Sequence, residues 1–203
     1  MYRNKVPLLL ASQSPRRQQL LRQLGIEFTV IRAEIEELLR PGEDPGEFVR
    51  RMAREKAEAA ARQAPGNWVL TADTIVVCGG QILGKPENSR AATRMLALLA
   101  GDWHQVLTAF TLKHQELEQE YTEVDSTRVK FSRLDSPAIF AYVAGGEPLD
   151  KAGSYAVQGL GGAFVERLEG CPTTVIGLPL PRVVRRLLAC RIIAYDQAAS
   201  SNV

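Results

Sequence analysis

The sequence is poor in the residues from which metal centres and disulfide frameworks are built. Its 203 residues include only three cysteines, Cys78, Cys171 and Cys190. These are not closely paired, and they lie far from the two histidines, His104 and His114. Zinc sites and secreted disulfide frameworks both use closely spaced ligands or cysteine pairs. The spacing therefore favours three reduced, largely buried thiols in a cytosolic protein.

A long hydrophobic run and a strong excess of one charge are also lacking. The early apolar run at residues 7–11 is too short for a signal peptide or a membrane span. Lysine and arginine total 25 against 23 aspartates and glutamates, which gives a net charge of +2. Nucleic-acid binders usually carry a stronger basic excess or interleave aromatic with basic residues. We expect a cytoplasmic protein that binds neither membrane nor nucleic acid, with any anion site confined to one place.

Several catalytic signatures are absent as well. There is no Gly-x-x-x-x-Gly-Lys-Ser/Thr loop, and Gly79-Gly80 is not a dinucleotide-binding fingerprint. No Ser-His-Asp grouping is evident in the chain. A water nucleophile activated by a metal or a carboxylate fits this sequence better than a covalent mechanism.

The order of predicted elements indicates the α/β class. Strands and helices alternate early and antiparallel strands gather in the middle, which predicts a mixed twisted sheet flanked by helices, with two lobes. We expect one domain over 4–195 and a flexible tail over 196–203. The predicted strands lie at 6–11, 28–31, 68–77, 82–83, 106–113 and 121–131. The predicted helices lie at 15–24, 45–62, 89–99 and 136–145 and from about 180 onward, with 151–162 irregular.

The turn between the first strand and the first helix is the strongest local signal. Residues 12–17 read Ser-Gln-Ser-Pro-Arg-Arg, with Ser14 as the predicted N-cap and Pro15 at the first helical position. The same pattern makes Ser136 the predicted cap of a later helix. Arg16 and Arg17 oppose the helix dipole, so either an anion compensates them or they are solvated surface residues with ordinary partners.

Three charged residues stand in unusual positions. Lys56 lies on the apolar stripe of its helix, so it either extends to the edge or points into a cleft. Asp73 interrupts an apolar strand, where even an unpaired neutral polar group costs roughly 2–7 kcal/mol. It is either functional or bonded to backbone amides at a bulge or strand end. Lys85, fixed between glycine and proline, either meets phosphate or lies on the surface.

These residues together form the parts of a metal–triphosphate site. Carboxylates such as Asp73 and Glu37 hold Mg²⁺ through oxygen ligands, and cations neutralise phosphate charge in the transition state.

Several motifs in order resemble the Maf family. The opening Ala-Ser-Gln-Ser-Pro-Arg-Arg at 11–17 matches that family's first block. The later matching blocks are Arg-Glu-Lys-Ala at 54–57, Ala-Asp-Thr-Ile-Val at 72–76, Ile-Leu-Gly-Lys-Pro at 82–86, Tyr-Ala-Val-Gln-Gly at 155–159, 166–170 and Gly-Leu-Pro at 177–179. The resemblance covers the chain from Leu8 to about Leu188.

The resemblance implies a nucleotide pyrophosphatase with a Maf/ITPase-like α/β fold, a nucleotide-binding cleft between two lobes, and Mg²⁺ or Mn²⁺ as cofactor. It implies that Asp73 is the proton acceptor or metal-linked base, and that Glu37, chosen by alignment of the acidic block at 33–37, assists the metal. The residues implied in substrate selection are Arg16, Thr74 and Gln158. The residues implied in phosphate binding are Ser12, Arg17, Lys56 and Lys85. Because Asp73 and Thr74 are adjacent, a regular strand would point them to opposite faces, so the strand must bulge or end there.

Gln158 favours a pyrimidine substrate. An amide can accept the N3–H of uracil or thymine and also donate to a neighbouring carbonyl, whereas a carboxylate suits guanine better. The segment 155–162 resembles the subgroup that acts on dTTP and UTP, with modest discrimination between these two. The alternatives are 7-methyl-GTP as substrate, Gln158 as a mere brace of the glycine loop, or a non-enzymatic septum-formation inhibitor that binds a partner. A homodimer is compatible with the sequence.

Overall fold

The computed structural model describes residues 1–196. The strands are β1 (Tyr2–Asn4), β2 (Leu8–Leu10), β3 (Thr29–Val30), β4 (Trp68–Cys78), β5 (Gln81–Leu83), β6 (Trp103–His114), β7 (Gln119–Phe131), β8 (Val165–Glu169) and β9 (Ile193–Tyr195). The helices are α1 (Pro15–Gln23), α2 (Pro45–Gln63), α3 (Ser89–Leu99), α4 (Ser136–Ala144), α5 (Pro172–Ile176) and α6 (Leu180–Ala189). Short 3-10 turns occupy most of 147–164, which includes the predicted irregular segment.

Seven strands form one mixed sheet, which confirms the predicted α/β class. Its order is β3-β2-β4-β6-β7-β8, and β5 pairs with one end of β4. Strand β2 runs parallel to β3 and β4, and the other pairs are antiparallel. The long apolar strand at 68–77 is central in the sheet, as predicted, since it lies between β2 and β6. Nearly all of its residues are buried because helices cover both of its faces.

Alternate residues of β4 face different helices. Ile75 and Val77 pack with Met52 of α2 on one face of the sheet. On the other face, Leu70 packs with α1 and α6 at one end, and Val76 packs with α3 and α4 at the other end. The apolar cluster around Leu70 forms the core of the first predicted lobe, and the cluster around Val76 forms the core of the second.

Strand β4 has an open stretch between its neighbours on one side. β2 pairs with Trp68–Leu70, and β5 pairs with Val76–Cys78. On the other side the register with β6 runs unbroken from Val69 to Val77. The prediction that the strand must bulge or end at Asp73 is therefore wrong. Side chains from both faces reach a common space because the described residues provide no strand partner beside 71–75 on that edge.

Several local predictions are corrected by the structure. Ser14 occupies the N-cap position of α1 but makes no side-chain capping bond. The cap of α4 is Asp135, one residue before the predicted Ser136, because the Asp135 carboxylate accepts the N–H of Ala138. All three cysteines are free thiols, but only Cys78 is buried, and the other two are partly exposed.

The two ends of the described chain pair with each other. Strand β1 is antiparallel to β9, and the Asp196 N–H donates to the Met1 carbonyl oxygen at 2.9 Å. The sequence predicted neither strand, nor β8 and α5. Residues 197–203 of the predicted tail lie outside the described residues. Among residues 1–196, no helix combines the length and the apolar character that a membrane crossing requires.

Candidate active site

A cavity of about 760 Å³ fills the open stretch beside β4. It extends from the turn after β2 to the end of β5, so that both lobes contribute to its wall. All of the site residues predicted from the sequence line this cavity: Ser12, Arg16, Arg17, Glu37, Lys56, Asp73, Thr74, Lys85 and Gln158.

The turn after β2 places backbone donors and arginines at the cavity wall. The Ser12 Oγ accepts the N–H of Ser14 at 3.3 Å, which shapes the turn into α1. Pro15 fixes the first helical position. The N-terminal N–H groups of α1 and its dipole favour an anion in front of this turn.

Arg17 is held by three neutral acceptors. Its Nε donates to the Gly177 carbonyl at 2.8 Å, its Nη1 to Ser12 Oγ at 3.2 Å and its Nη2 to Thr74 Oγ1 at 3.0 Å. Burial lowers the pKa of Arg17, although the charge of Asp73 acts in the opposite direction. Arg17 forms no ion pair with any residue from 1 to 196, so the surface-residue interpretation is wrong for it.

Three further cations, Arg16, Arg32 and Lys85, line the cavity without a carboxylate at ion-pair distance in the described chain. Within the described chain, Arg16 and Lys85 make no ion pair and no side-chain hydrogen bond, and Lys85 is exposed. With Arg17, they give the cavity positive charge outside its ion pairs, although Lys85 acts electrostatically on Glu37 and Arg16 acts on Asp150.

Lys56 points into the cavity and joins two carboxylates. Its Nζ lies 2.7 Å from Asp73 Oδ1 and 2.6 Å from Glu37 Oε1. The side chains of Lys56 and Asp73 are only 13% and 11% exposed, so the cleft interpretation of Lys56 is confirmed. Burial alone would raise the pKa of Glu37, but the hydrogen bond and charge of Lys56 hold it below its usual value.

Asp73 reaches the cavity from the α2 side of the sheet, and Thr74 reaches it from the opposite side. The sequence left open whether Asp73 is functional or bonded to backbone amides at a bulge or strand end. The second interpretation is wrong, because the hydrogen-bond partner of Asp73 is a side chain. In the described chain, the Asp73 carboxylate accepts a hydrogen bond from the Lys56 ammonium group of α2.

Thr74 belongs to a directed chain of hydrogen bonds that sequence reasoning missed. The Thr108 hydroxyl donates to the Thr174 carbonyl at 2.8 Å. Because that hydroxyl has one proton, the 3.0 Å contact between Thr74 and Thr108 requires Thr74 to donate. Thr74 therefore presents only lone pairs to the cavity, and one of them accepts from Arg17. A threonine inside an apolar strand was the only signal that could have indicated Thr108.

Gln158 is exposed at the cavity and makes no side-chain hydrogen bond in the part of the chain described. It therefore does not brace the glycine loop, and its amide is available to a ligand. The loop is braced instead by Glu147, which accepts the N–H groups of Leu160 and Gly161. Nothing in the sequence pattern singled out Glu147.

Comparison with known proteins supports the resemblance seen in the sequence. The family model described as "Maf-like protein" matches residues 7–190. A protein of Desulfotalea psychrophila is 46% identical over 194 residues, which is 96% of this chain and 100% of that relative. A protein of Anaeromyxobacter dehalogenans is 51% identical over 175 residues, covering 85% and 88% of the two chains. A protein of Syntrophomonas wolfei is 49% identical over 176 residues, covering 86% and 92%. Each of these relatives is named dTTP/UTP pyrophosphatase. The chain belongs to the Maf family.

Proposed function

We propose that this protein hydrolyses dTTP and UTP to the nucleoside monophosphate and pyrophosphate. The observation that carries the proposal is the arrangement around Lys56. A half-buried ammonium joins Asp73 and Glu37 in a cavity that also contains Arg16, Arg17 and Lys85, none of which forms an ion pair in the described chain. The shared name of the relatives supports the substrate class.

The unpaired cations account for triphosphate binding. A nucleoside triphosphate brings several negative charges, and arginine binds phosphate oxygens through a fixed fork of N–H donors. The N-terminus of α1 adds backbone donors at the same wall. The negative charges of the triphosphate would therefore complement the arginine and lysine charges that are not held in ion pairs.

Asp73 and Glu37 fit a divalent metal. Their oxygens already converge on one cationic group, the Lys56 ammonium, at 2.7 and 2.6 Å. Residues 1–196 contain no group of three or more His, Cys, Asp or Glu arranged for a metal. Mg²⁺ suits such a sparse set, since it is usually bound by one or two carboxylates plus substrate phosphates. Bound Mg²⁺ or Mn²⁺ would neutralise phosphate charge as a Lewis acid.

Asp73 is the proposed proton acceptor. A water oxygen bonds to the α-phosphorus, the bond from that phosphorus to the bridging oxygen of pyrophosphate breaks, and the water proton passes to the carboxylate. Lys56 supports this role because its ammonium group, 2.7 Å from Asp73 Oδ1, holds the carboxylate in position at the cavity. Arg17 and Lys85 are placed to stabilise the charge that develops on the phosphates.

Gln158 is the proposed reader of the base. Its free amide offers one donor and one acceptor, which complement the N3–H and a neighbouring carbonyl of thymine or uracil. The thymine methyl is worth only roughly 1–3 kcal/mol in a fitted pocket, so UTP and modified pyrimidines are expected substrates as well.

The decisive experiment is pyrophosphate release from dTTP, UTP, CTP, GTP and 7-methyl-GTP with Mg²⁺ or Mn²⁺. We expect turnover of dTTP and UTP. Preference for 7-methyl-GTP would retain the reaction and overturn the base assignment. Well-folded protein without activity on any nucleotide would overturn the enzymatic proposal in favour of partner binding.

Asp73→Asn tests the assignment of the proton acceptor. We expect kcat for dTTP to fall by about 10² or more, because general-base catalysis typically contributes 10²–10⁴-fold. Asp150→Asn is the matched control, since Asp150 lines the same cavity but pairs with Lys151. Equal losses in both variants would show that the lost charge, not the proton acceptor, matters.

A further inference from the structure

The loop that carries Gln158 is tied to the rest of the protein on both sides of that residue. We call residues 155–162 the specificity loop. Beyond Gln158, Glu147 Oε2 accepts the Leu160 N–H at 3.0 Å and Oε1 accepts the Gly161 N–H at 3.1 Å. Before Gln158, the Ala156 N–H donates to the Tyr142 hydroxyl oxygen at 3.3 Å.

The two anchors form one unit. The Tyr142 hydroxyl donates its proton to Glu147 Oε1 at 2.7 Å while accepting from Ala156. One carboxylate and one phenol therefore collect three backbone N–H groups of the specificity loop. Tyr142 is buried in α4, so the unit is attached to a helix of the lobe core.

The glycines of the loop make room for these two side chains. A Cβ at position 159 would lie 2.6 Å from the Glu147 Cδ, and one at position 161 would lie 2.5 Å from the Tyr142 hydroxyl oxygen. Side chains at either position would push the anchors out of the loop. Close approach of Glu147 and Tyr142 thus explains the glycines at positions 159 and 161.

Gln158 depends on this backbone support. Its own side chain makes no hydrogen bond within residues 1–196. The other bonds near it, from Gly159 N–H to Ala156 O and from Gly162 N–H to Gly159 O, join the loop only to itself. Burial alone would raise the pKa of Glu147, but the Gly161 N–H and the Tyr142 hydroxyl hold it below its usual value, so the acceptor stays ionised near neutral pH.

We infer that Glu147 is a positioning residue for base selection: acting with Tyr142, it holds the specificity loop so that Gln158 meets the pyrimidine edge. This inference rests on the proposed function. The role requires an acceptor with no donor of its own. A glutamine would turn an NH₂ group toward an N–H group of the loop and lose at least one bond.

Two variants remove the anchor from opposite sides. Glu147→Gln changes the acceptor. Leu160→Pro removes a donor without altering Glu147, because Leu160 is the first residue of a 3-10 turn and follows a glycine in extended conformation, where proline fits. Leu160→Ala is the control that keeps the N–H, and Glu166→Gln is the control for an exposed carboxylate beside the same loop.

The activity readout is the ratio of kcat/KM for dTTP to that for 7-methyl-GTP. We expect Glu147→Gln and Leu160→Pro to lower it about tenfold, mainly through a higher KM for dTTP with kcat changed less than threefold. Both controls should match the wild type. A general loss of kcat on all nucleotides would indicate a merely structural role and overturn the inference.

Amide hydrogen exchange supplies a readout that does not depend on catalysis. Faster exchange at Gly161 in Glu147→Gln, with α4 unchanged, is expected. Unchanged exchange there would overturn the inference whatever the activity. Faster exchange with an unchanged nucleotide ratio would also overturn it while leaving the proposed function intact. A wild-type protein inactive on every nucleotide would instead overturn the proposed function and this inference with it.

Discussion

At the scale of single residues, Arg17 defines the electrostatic character of the cavity. Three of its five N–H donors bond to neutral oxygens, of Gly177, Ser12 and Thr74. These bonds fix the guanidinium but do not neutralise it, and the charges of Asp73 and Glu37 act on it without forming an ion pair. Arg17 therefore suits its proposed role in phosphate binding, since it is fixed in place and forms no ion pair with any residue from 1 to 196.

The proposed base-reading role of Gln158 leads to a prediction for Gln158→Glu. We expect kcat/KM for dTTP to fall at least about tenfold, because the carboxylate removes the donor and opposes a base carbonyl. The activity on 7-methyl-GTP should fall less or rise. Steady-state kinetics on both nucleotides measures the change.

Gln13→Glu is the matched control for that substitution. Gln13 lines the same cavity, so its replacement adds the same negative charge without touching the specificity loop. A similar loss in both variants would assign the effect to charge alone. Unchanged turnover of dTTP in Gln158→Glu would refute base reading by this residue.

Four charged residues of the cavity, Arg16, Arg17, Lys56 and Asp73, were predictable because each violated a local rule, whereas Glu37 came from the family alignment. Arg16 and Arg17 oppose a helix dipole, and Lys56 lies on an apolar stripe. Their partners were not predictable from local rules, because Gly177 meets Arg17 across 160 positions of the chain. The same holds for Glu147, whose contacts with the loop come from tertiary folding alone.

At the scale of elements, the N-caps of α1 and α2 differ in whether the cap side chain accepts a backbone N–H. Asp44 caps α2, and its Oδ1 accepts the N–H groups of Gly46 at 2.7 Å and Glu47 at 3.4 Å. Ser14 caps α1 in position only. We predict that Asp44→Ala lowers the free energy of unfolding by about 1 kcal/mol. Ser14→Ala should change it by less than about 0.5 kcal/mol.

Urea denaturation of the two variants measures the difference. If Ser14→Ala cost as much stability as Asp44→Ala, Ser14 would be a functional cap in solution and the described contact pattern would be wrong for α1.

The contact between β6 and the start of the specificity loop predicts acid sensitivity. His104 Nε2 lies 2.8 Å from the Tyr155 hydroxyl, and burial lowers the pKa of His104 from its ordinary 6.5 to about 4. Between these pH values His104 is protonated in the unfolded chain but stays neutral in the folded protein. Stability is therefore complete above about pH 6.5 and falls as the pH drops toward 4, by up to about 3 kcal/mol.

His104→Gln isolates this contribution, since glutamine can bond to Tyr155 but does not titrate. Urea midpoints from pH 7 to 4.5 should decline more steeply for the wild type than for the variant. Equal slopes would show that His104 titrates normally. Carboxylates with lowered pKa values, such as Glu58 and Glu123, act at lower pH and equally in both proteins.

Long elements followed from the sequence, and short ones did not. The prediction for β4 succeeded because ten consecutive residues at 68–77 are nearly all apolar. Strand β1 has three residues and its partner is at 193–195, so neither length nor pattern could reveal it. The five-residue helix α5 is likewise too short for a periodic signal.

At the scale of the whole molecule, the site is created by the strand arrangement. The last residue of β2 lies beside Leu70 and the last residue of β5 lies beside Val76, so the cavity occupies the interval in which β4 is open on one edge. Which strands pair with which part of β4 cannot be deduced from the sequence of β4 alone. For that reason the sequence predicted a bulge or a strand end at Asp73 instead of an open edge. The open edge lets residues from both faces serve one site without any distortion of the strand.

The pairing of β1 with β9 is expected to contribute to stability but not to activity. Tyr2 packs against the core cluster of the first lobe and its ring lies 5.5 Å from that of Tyr195. In the described chain β1 is the sole strand partner of β9. No residue of β1 or β9 lines the cavity.

Deletion of residues 2–5 should therefore lower the free energy of unfolding by about 2 kcal/mol or more, since it uncovers apolar surface and leaves β9 unpaired. Hydrolysis of dTTP, assayed well below the new melting temperature, should stay within twofold of the wild type. Arg3→Ala is the control, because it keeps the backbone of β1 and alters only an exposed side chain. An unchanged urea midpoint after the deletion would show that the end pairing adds no stability. Loss of hydrolysis in protein that is still folded would show that the end pairing supports the site.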